Sequence, residues 1–189
     1  LVPFAFIKSP RMELTFNEEP WFVFIHNRSS RAWFFDYPGA SLSVLLPSGV
    51  YDVLTVFQST NYRSIREAVD VGSVTVLNID RNEVTNKVSI IPIDEQGANV
   101  FVNAGTDRFI HRDSGIGLIT SGGSSTEQWF SNVSAAYSWE WTLDNGYLAT
   151  TKVYQFNGFA NGIDGDITFQ NSPNDLTHLH YAYNVDPGV

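Results

Sequence analysis

Apolar side chains in this chain recur at every second position, in one short run after another, and almost nowhere at the three-to-four spacing of a helix. Alternation at period two turns one face of an extended segment inward and the other outward, so the pattern commits the chain to β-strands. The first half reads as strands over Val2 to Ile7, Met12 to Phe16, Trp21 to Asn27, Ala32 to Asp36, Leu42 to Leu46, Val50 to Gln58, Tyr62 to Val71 and Val74 to Ile79. The second half adds Lys87 to Ile93, Asn99 to Val102, Phe109 to His111, Gly117 to Thr120, Tyr137 to Leu143, Tyr147 to Phe156, Gly165 to Phe169 and Leu179 to Asn184. Turn formers punctuate these runs at Ser9-Pro10, Tyr37-Pro38-Gly39, Pro47-Ser48-Gly49, Asp144-Asn145-Gly146 and Asn157-Gly158. The Asp144-Asn145-Gly146 turn, set between two aromatic and β-branched runs, is the strongest hairpin signal.

A chain of 189 residues that is 14% aromatic and only 16% charged has the apolar material for a large core. That composition argues against disorder. Cysteine is absent, which removes thiol catalysis, thiolate zinc sites and disulfide frameworks together. The formal charge of −9 repels phosphate backbones and anionic bilayers, so nucleic acid is not an expected partner. No run approaches the ~18 apolar residues of a membrane helix, so no membrane span is expected. Leu1 in place of an initiator Met suggests a processed product or an excised segment, and the disulfide-free β pattern points to a bacterial source.

Charge and glycine both shift near residue 93. Residues 1–93 carry 8 Lys and Arg against 9 Asp and Glu, whereas residues 94–189 carry 3 against 11, and glycine divides 3 to 11 in the same direction. The polar stretch Asp80-Arg81-Asn82-Glu83-Val84-Thr85-Asn86 lies just before a new β run. The expectation is therefore an all-β chain of two β-sandwich domains in tandem, one over 1–86 and an acidic, Gly/Asn-rich one over 87–189, with a single larger sandwich as the alternative.

The segment Leu45-Leu46-Pro47-Ser48-Gly49-Val50-Tyr51-Asp52-Val53-Leu54-Thr55-Val56 sets a tight turn before a strand whose Tyr51, Val53 and Thr55 share a face. After Tyr62 comes a second alternating run, Ala68-Val69-Asp70-Val71-Gly72-Ser73-Val74-Thr75-Val76. Together these resemble the Pro-x-Gly-x-Tyr strand and Val-rich pair of carboxypeptidase-regulatory-like or transthyretin-like sandwich domains, over residues 45–79 alone. The resemblance implies an accessory role, as a rigid module beside a catalytic, transport or adhesive part of a secreted bacterial protein. A second echo, the strand, Asp-x-x-Gly turn and strand of Val88 to Val100, is similar to the opening of such domains.

Three groups of side chains are candidate sites. Asn157, Asn161, Asp164 and Asp166 lie in a Gly-rich stretch where two carboxylates and two amide oxygens suit calcium, which accepts irregular oxygen sets. The Glu that closes an EF-hand is missing, and the plainer reading is a surface loop whose Asn and Asp bond to turns. His178 and His180 flank Leu179 and would share a strand face, with His111 or Asp175 as a third ligand; solvent-facing histidines are the plainer reading. Trp129, Tyr154 and Phe159 offer aromatic faces beside Asn and Asp, the chemistry of sugar recognition by stacking and hydrogen bonding. Tyr137, Trp139, Trp141 and Leu143 alternate as one core-facing row, whereas Trp129 follows a Ser/Gly-rich loop and is the better exposed candidate.

No nucleophile elbow surrounds Ser114 or Ser121, and no pair of carboxylates stands out as a glycosidase couple. Catalytic residues are thus not identified. Asn27-Arg28-Ser29 and Asn132-Val133-Ser134 are glycosylation sequons in a glycosylating host. The leading expectation is a non-catalytic module of a larger surface or secreted protein, serving as scaffold, stalk or adhesion domain at the cell surface or outside the cell. Its partners would be neighbouring domains of that polypeptide and a glycan or another protein. The alternatives are a carbohydrate-binding module and the accessory segment of a secreted peptidase or glycosidase.

Overall fold

The computed structural model describes residues 9–58, 61–72, 74–121, 125–145, 153–171 and 174. These form strands β1 (Arg11–Phe16), β2 (Pro20–Asn27), β3 (Trp33–Asp36), β4 (Ser41–Leu45), β5 (Gly49–Phe57), β6 (Tyr62–Val71) and β7 (Val74–Ile79). After a single 3-10 turn at Arg81–Glu83 come β8 (Asn86–Ile91), β9 (Ala104–His111), β10 (Gly117–Ser121), β11 (Glu127–Phe130), β12 (Val133–Asp144), β13 (Gln155–Ile163) and β14 (Ile167–Gln170). The all-β expectation holds, and no α-helix occurs among the described residues.

Three sheets stack in layers. The central sheet has seven strands in the order β14-β8-β11-β6-β5-β2-β3, and it is flanked by a three-stranded sheet, β4-β1-β7, and a four-stranded sheet, β10-β9-β12-β13. Two cores fill the gaps. Met12, Leu14, Val44 and Ile79 of the three-stranded sheet pack against Val23, Ile25, Val53 and Phe57 of the central one. On the reverse face Phe24, Leu54, Ile65 and Phe130 meet Phe109, Tyr137, Trp139, Trp141 and Leu143 of the four-stranded sheet. Successive residues of β2 and β5 therefore enter opposite cores, as the alternation of side chains across a strand requires.

The stretches expected as two domains, 1–86 and 87–189, meet in the central sheet. The two cores divide roughly as expected, but β8, β11 and β14 of the second half extend the sheet of the first, with β11 lying parallel to β6. The physical reason is that the aromatic row Tyr137 to Leu143 needs a second apolar face wider than β8, β11 and β14 alone, and the back of β2, β5 and β6 completes it. Strands buried on both faces read as continuous apolar runs, as Phe22-Val23-Phe24-Ile25 does.

Other differences are local. Asn99 to Val102 forms no strand and contributes only a bridge from Asn99 to Ile93. β11 fits no run read from the sequence. β13 extends to Ile163 and so takes up much of the stretch read as an acidic loop, because pairing with β12 satisfies its backbone. The expected strands Val2 to Ile7 and Leu179 to Asn184, residues 147–152, and Gly146 of the expected hairpin turn lie outside the described residues.

Candidate functional site

Among the described residues β3 pairs only with β2 and β10 only with β9, so each is the last described strand of its sheet. Between these two strands runs a groove of about 610 Å³, walled by Phe24, Trp33 and Phe35 on one side and by Ile116 and Leu118 on the other. That volume is in the range of ligand-binding clefts. Trp33 is 65% exposed and stacks on Phe24 at 6.0 Å between ring centroids and 28° between planes. Phe35 continues the band, touching Phe22 at 5.2 Å and Tyr37 edge-on at 4.9 Å. At Gly117 a Cβ would stand 1.8 Å from the carbonyl oxygen of Phe109, so the opposite wall has no room for a side chain there.

One end of the groove is built by a tight turn. The buried Asn27 carboxamide oxygen accepts from the backbone N–H of Ser29 at 3.0 Å and of Ser30 at 2.8 Å. The Arg31 N–H donates to the Asn27 carbonyl at 3.1 Å, and the Asn27 N–H donates to the Ala32 carbonyl at 2.8 Å. These bonds hold Arg31 at φ 59°, a left-handed conformation uncommon for a residue with a side chain. Gly49 contributes by lacking a side chain, since a Cβ there would lie 2.8 Å from Asn27 Nδ2. Asn27 as a glycosylation acceptor is thereby ruled out in the folded chain, its carboxamide being buried and engaged.

Beneath the groove lies a buried polar cluster. Asp52 receives Arg28 Nε at 2.9 Å and Nη2 at 2.7 Å, the Ala68 N–H at 2.8 Å and the Tyr137 hydroxyl at 2.8 Å. Burial alone would raise the Asp52 carboxyl, but the bonds from Arg28, Ala68 and Tyr137 outweigh it and hold the group below its ordinary value. Tyr137 is pushed the other way, first by burial and then by the adjacent carboxylate. His26 Nδ1 stands 3.9 Å from Asp52, and its ring lies 6.1 Å from that of His111. Burial, with help from His111 and Arg28, lowers His26 against the opposing pull of Asp52. Nε2 of each histidine is buried without a hydrogen-bond partner among the described residues.

This cluster resembles a catalytic constellation only in composition. The cavity beside His26, Asp52 and Tyr137 measures about 20 Å³, room for one water and no substrate. Ser114 Oγ is 3.4 Å from His111 Nδ1, yet both are buried, and the hydroxyl accepts from the Ile116 N–H at 3.3 Å as part of its turn.

Among the described residues, the aromatic candidates Trp129, Tyr154 and Phe159 lie in different places. Phe159, 54% exposed, lies on the outer face of the four-stranded sheet beside Asn157 and Asn161. Trp129 is half-buried on the far side of the central sheet, stacked on Tyr62 at 6.0 Å with Lys87 Nζ 6.0 Å from its ring. Tyr154 stacks on Phe156, and its hydroxyl bonds to Glu95. Asn157 and Asn161 are four positions apart on an extended strand, about 13 Å at the rise of a strand. Asn157 accepts from Thr142 at 2.9 Å, while Asp166 accepts from the Lys87 N–H at 2.8 Å. Asp164 sits in the turn between β13 and β14. Among the described residues no three His, Asp or Glu side chains converge as metal ligands. His178, His180 and Asp175 lie outside the described residues; His111 belongs to the buried cluster. The groove itself was not read from the sequence, although the consecutive aromatics Trp33-Phe34-Phe35 on so short a strand are its signal.

No protein-family model matches the chain, and no curated protein does. Among solved structures it is similar to the TIE protein of Bacillus anthracis at 14% identity, over 86% of this chain and 34% of that one, with a TM-score of 0.28. A putative adhesin from Bacteroides ovatus is 8% identical over 94% of each chain, with a TM-score of 0.31. A streptococcal ancillary pilin is 11% identical over 89% of this chain and 64% of that one, at 0.28. The chain thus spans about a third of the length of the Bacillus protein. These scores lie well below those of a shared fold, so the functional reading rests on the site itself.

Proposed function

We propose that this chain is a non-catalytic binding module of a surface or secreted protein, holding an extended ligand in the groove between β3 and β10. The observation that carries the reading is Trp33, a large aromatic face presented to solvent on the last described strand of the central sheet and backed by Phe24. An apolar ring 65% exposed gains little from folding, whereas it gains burial on binding. The buried cluster beneath supports attachment over catalysis, because its carboxylate is already engaged by Arg28, Ala68 and Tyr137. The module role agrees with the accessory role that the resemblance at residues 45–79 implies, in a larger extracellular or cell-surface polypeptide.

The test is binding of wild type and Trp33→Ala to an array of immobilised glycans, with thermal unfolding in parallel. Wild type is expected to bind, and the variant to lose at least about tenfold in affinity while stability changes by only about 0.5 kcal/mol. Equal binding by the two proteins, or none by wild type, overturns the reading.

A further inference from the structure

We infer that the groove takes a carboxylate-bearing sugar chain, with Arg31 receiving the carboxylate and Trp33 stacking on a ring; this rests on the groove reading above. Arg31 is the one charged residue among those lining the groove, in a chain whose formal charge is −9. Its neighbour Arg28 is committed to Asp52 and Glu67, whereas no carboxylate pairs with the Arg31 guanidinium among the described residues, and the side chain is exposed. A free guanidinium in an acidic protein is a local reversal of charge, and its planar fork matches a carboxylate with two parallel hydrogen bonds.

The placement of Arg31 is specified by its backbone. The Asn27 turn fixes it in a left-handed conformation, the kind of local strain found where a side chain must be aimed. Trp33 follows two residues later and lines the same groove. A flat apolar face beside a carboxylate receptor is complementary to a uronic acid, which presents an apolar ring face and a charged edge on one small unit. An added peptide strand fits less well. β3 is four residues long, so its edge offers only a short ladder of main-chain bonds.

Calorimetric titration of the intact chain with oligogalacturonate and hyaluronan oligosaccharides, each as the free acid and as its methyl ester, tests the proposal. The esters keep the rings and remove the charge. Wild type is expected to bind a free acid about tenfold more tightly than its ester, with the difference shrinking as salt rises. Arg31→Gln should abolish that preference, and Trp33→Ala should weaken both forms. Equal affinity for acid and ester, or an unchanged preference in Arg31→Gln, overturns the carboxylate assignment while Trp33 dependence keeps the groove reading. Binding that ignores Trp33→Ala overturns both. No binding of either acid, or binding only of an acidic peptide, overturns the assignment to a sugar.

Discussion

Asp52 of β5 and Tyr137 of β12 belong to different sheets, and the 2.8 Å hydrogen bond between them pins the four-stranded sheet to the central one directly beneath the groove. The same carboxylate also holds Arg28 and the N–H of Ala68, a residue at φ 56° in the bulged part of β6. One buried anion thus ties together a bulge, a turn and two layers.

Tyr137→Phe keeps the ring against His111 and removes only the hydroxyl. A hydrogen bond to a buried charge is worth about 1.5–3 kcal/mol, and Asp52 retains Arg28 and Ala68 as partners. Urea denaturation should show a loss of roughly 2 kcal/mol with an unchanged slope. Wild-type stability would mean that the bond contributes nothing.

The buried histidine predicts how stability depends on pH. His26 has a folded-state value below its ordinary 6.5, so the unfolded chain binds its proton first. The stabilising contribution is complete above pH 6.5 and declines as pH falls toward the folded-state value. Asp52, also lowered, contributes in the same direction further down, from its ordinary 3.8 toward its folded-state value. The groups facing His26 are Asp52, His111, Arg28 and Tyr137. Melting temperature should fall on acidification below pH 6.5, and His26→Gln should flatten that part of the curve. A His26→Gln profile parallel to wild type would assign the acid sensitivity elsewhere.

Trp139 is fully buried between Phe109, Phe130, Trp141 and Phe169, and its Nε1 has no hydrogen-bond partner among the described residues. Trp139→Ala therefore removes packing alone and should cost about 3–5 kcal/mol. A denaturation midpoint near that of wild type would require the surrounding rings to close the cavity.

For calcium the expected outcome is equal melting curves with the cation and with a chelator. Asn157 and Asp166 are already hydrogen-bonded, and β13 keeps Asn157 and Asn161 apart. A ligand of the folded form alone raises the midpoint by mass action, so a clear upward shift with calcium would assign Asp164 and Asp166 as ligands.

Most strands were legible because their inward and outward residues differ in polarity. The aromatic row of β12 was legible for the same reason, as Tyr137, Trp139, Trp141 and Leu143 are all buried. What alternation cannot convey is a strand buried on both faces, and this hid the sharing of β2 and β5 between two cores. In β11, Gln128 points into the interior and Glu127 lies outside, so a polar residue occupies an inward position and masks the pattern. β13 carries Asn and Gly, residues that favour turns, but pairing with β12 overrides that preference. The groove escaped because its walls come from strands distant in sequence. The aromatic residues of β3 look like core until β3 is seen to be the last described strand of its sheet.

Sharing the central sheet gives the chain a collective character that its composition conceals. Cutting at the polar stretch before β8 would strip Phe24, Leu54 and Ile65 of their cover and leave the row of β12 only the strands β8, β11 and β14 opposite, so each fragment would present a bare apolar surface prone to self-association. The chain should melt in one calorimetric transition whose van't Hoff and measured enthalpies agree, and a load that peels off either outer layer must disturb strands that the other layer also needs.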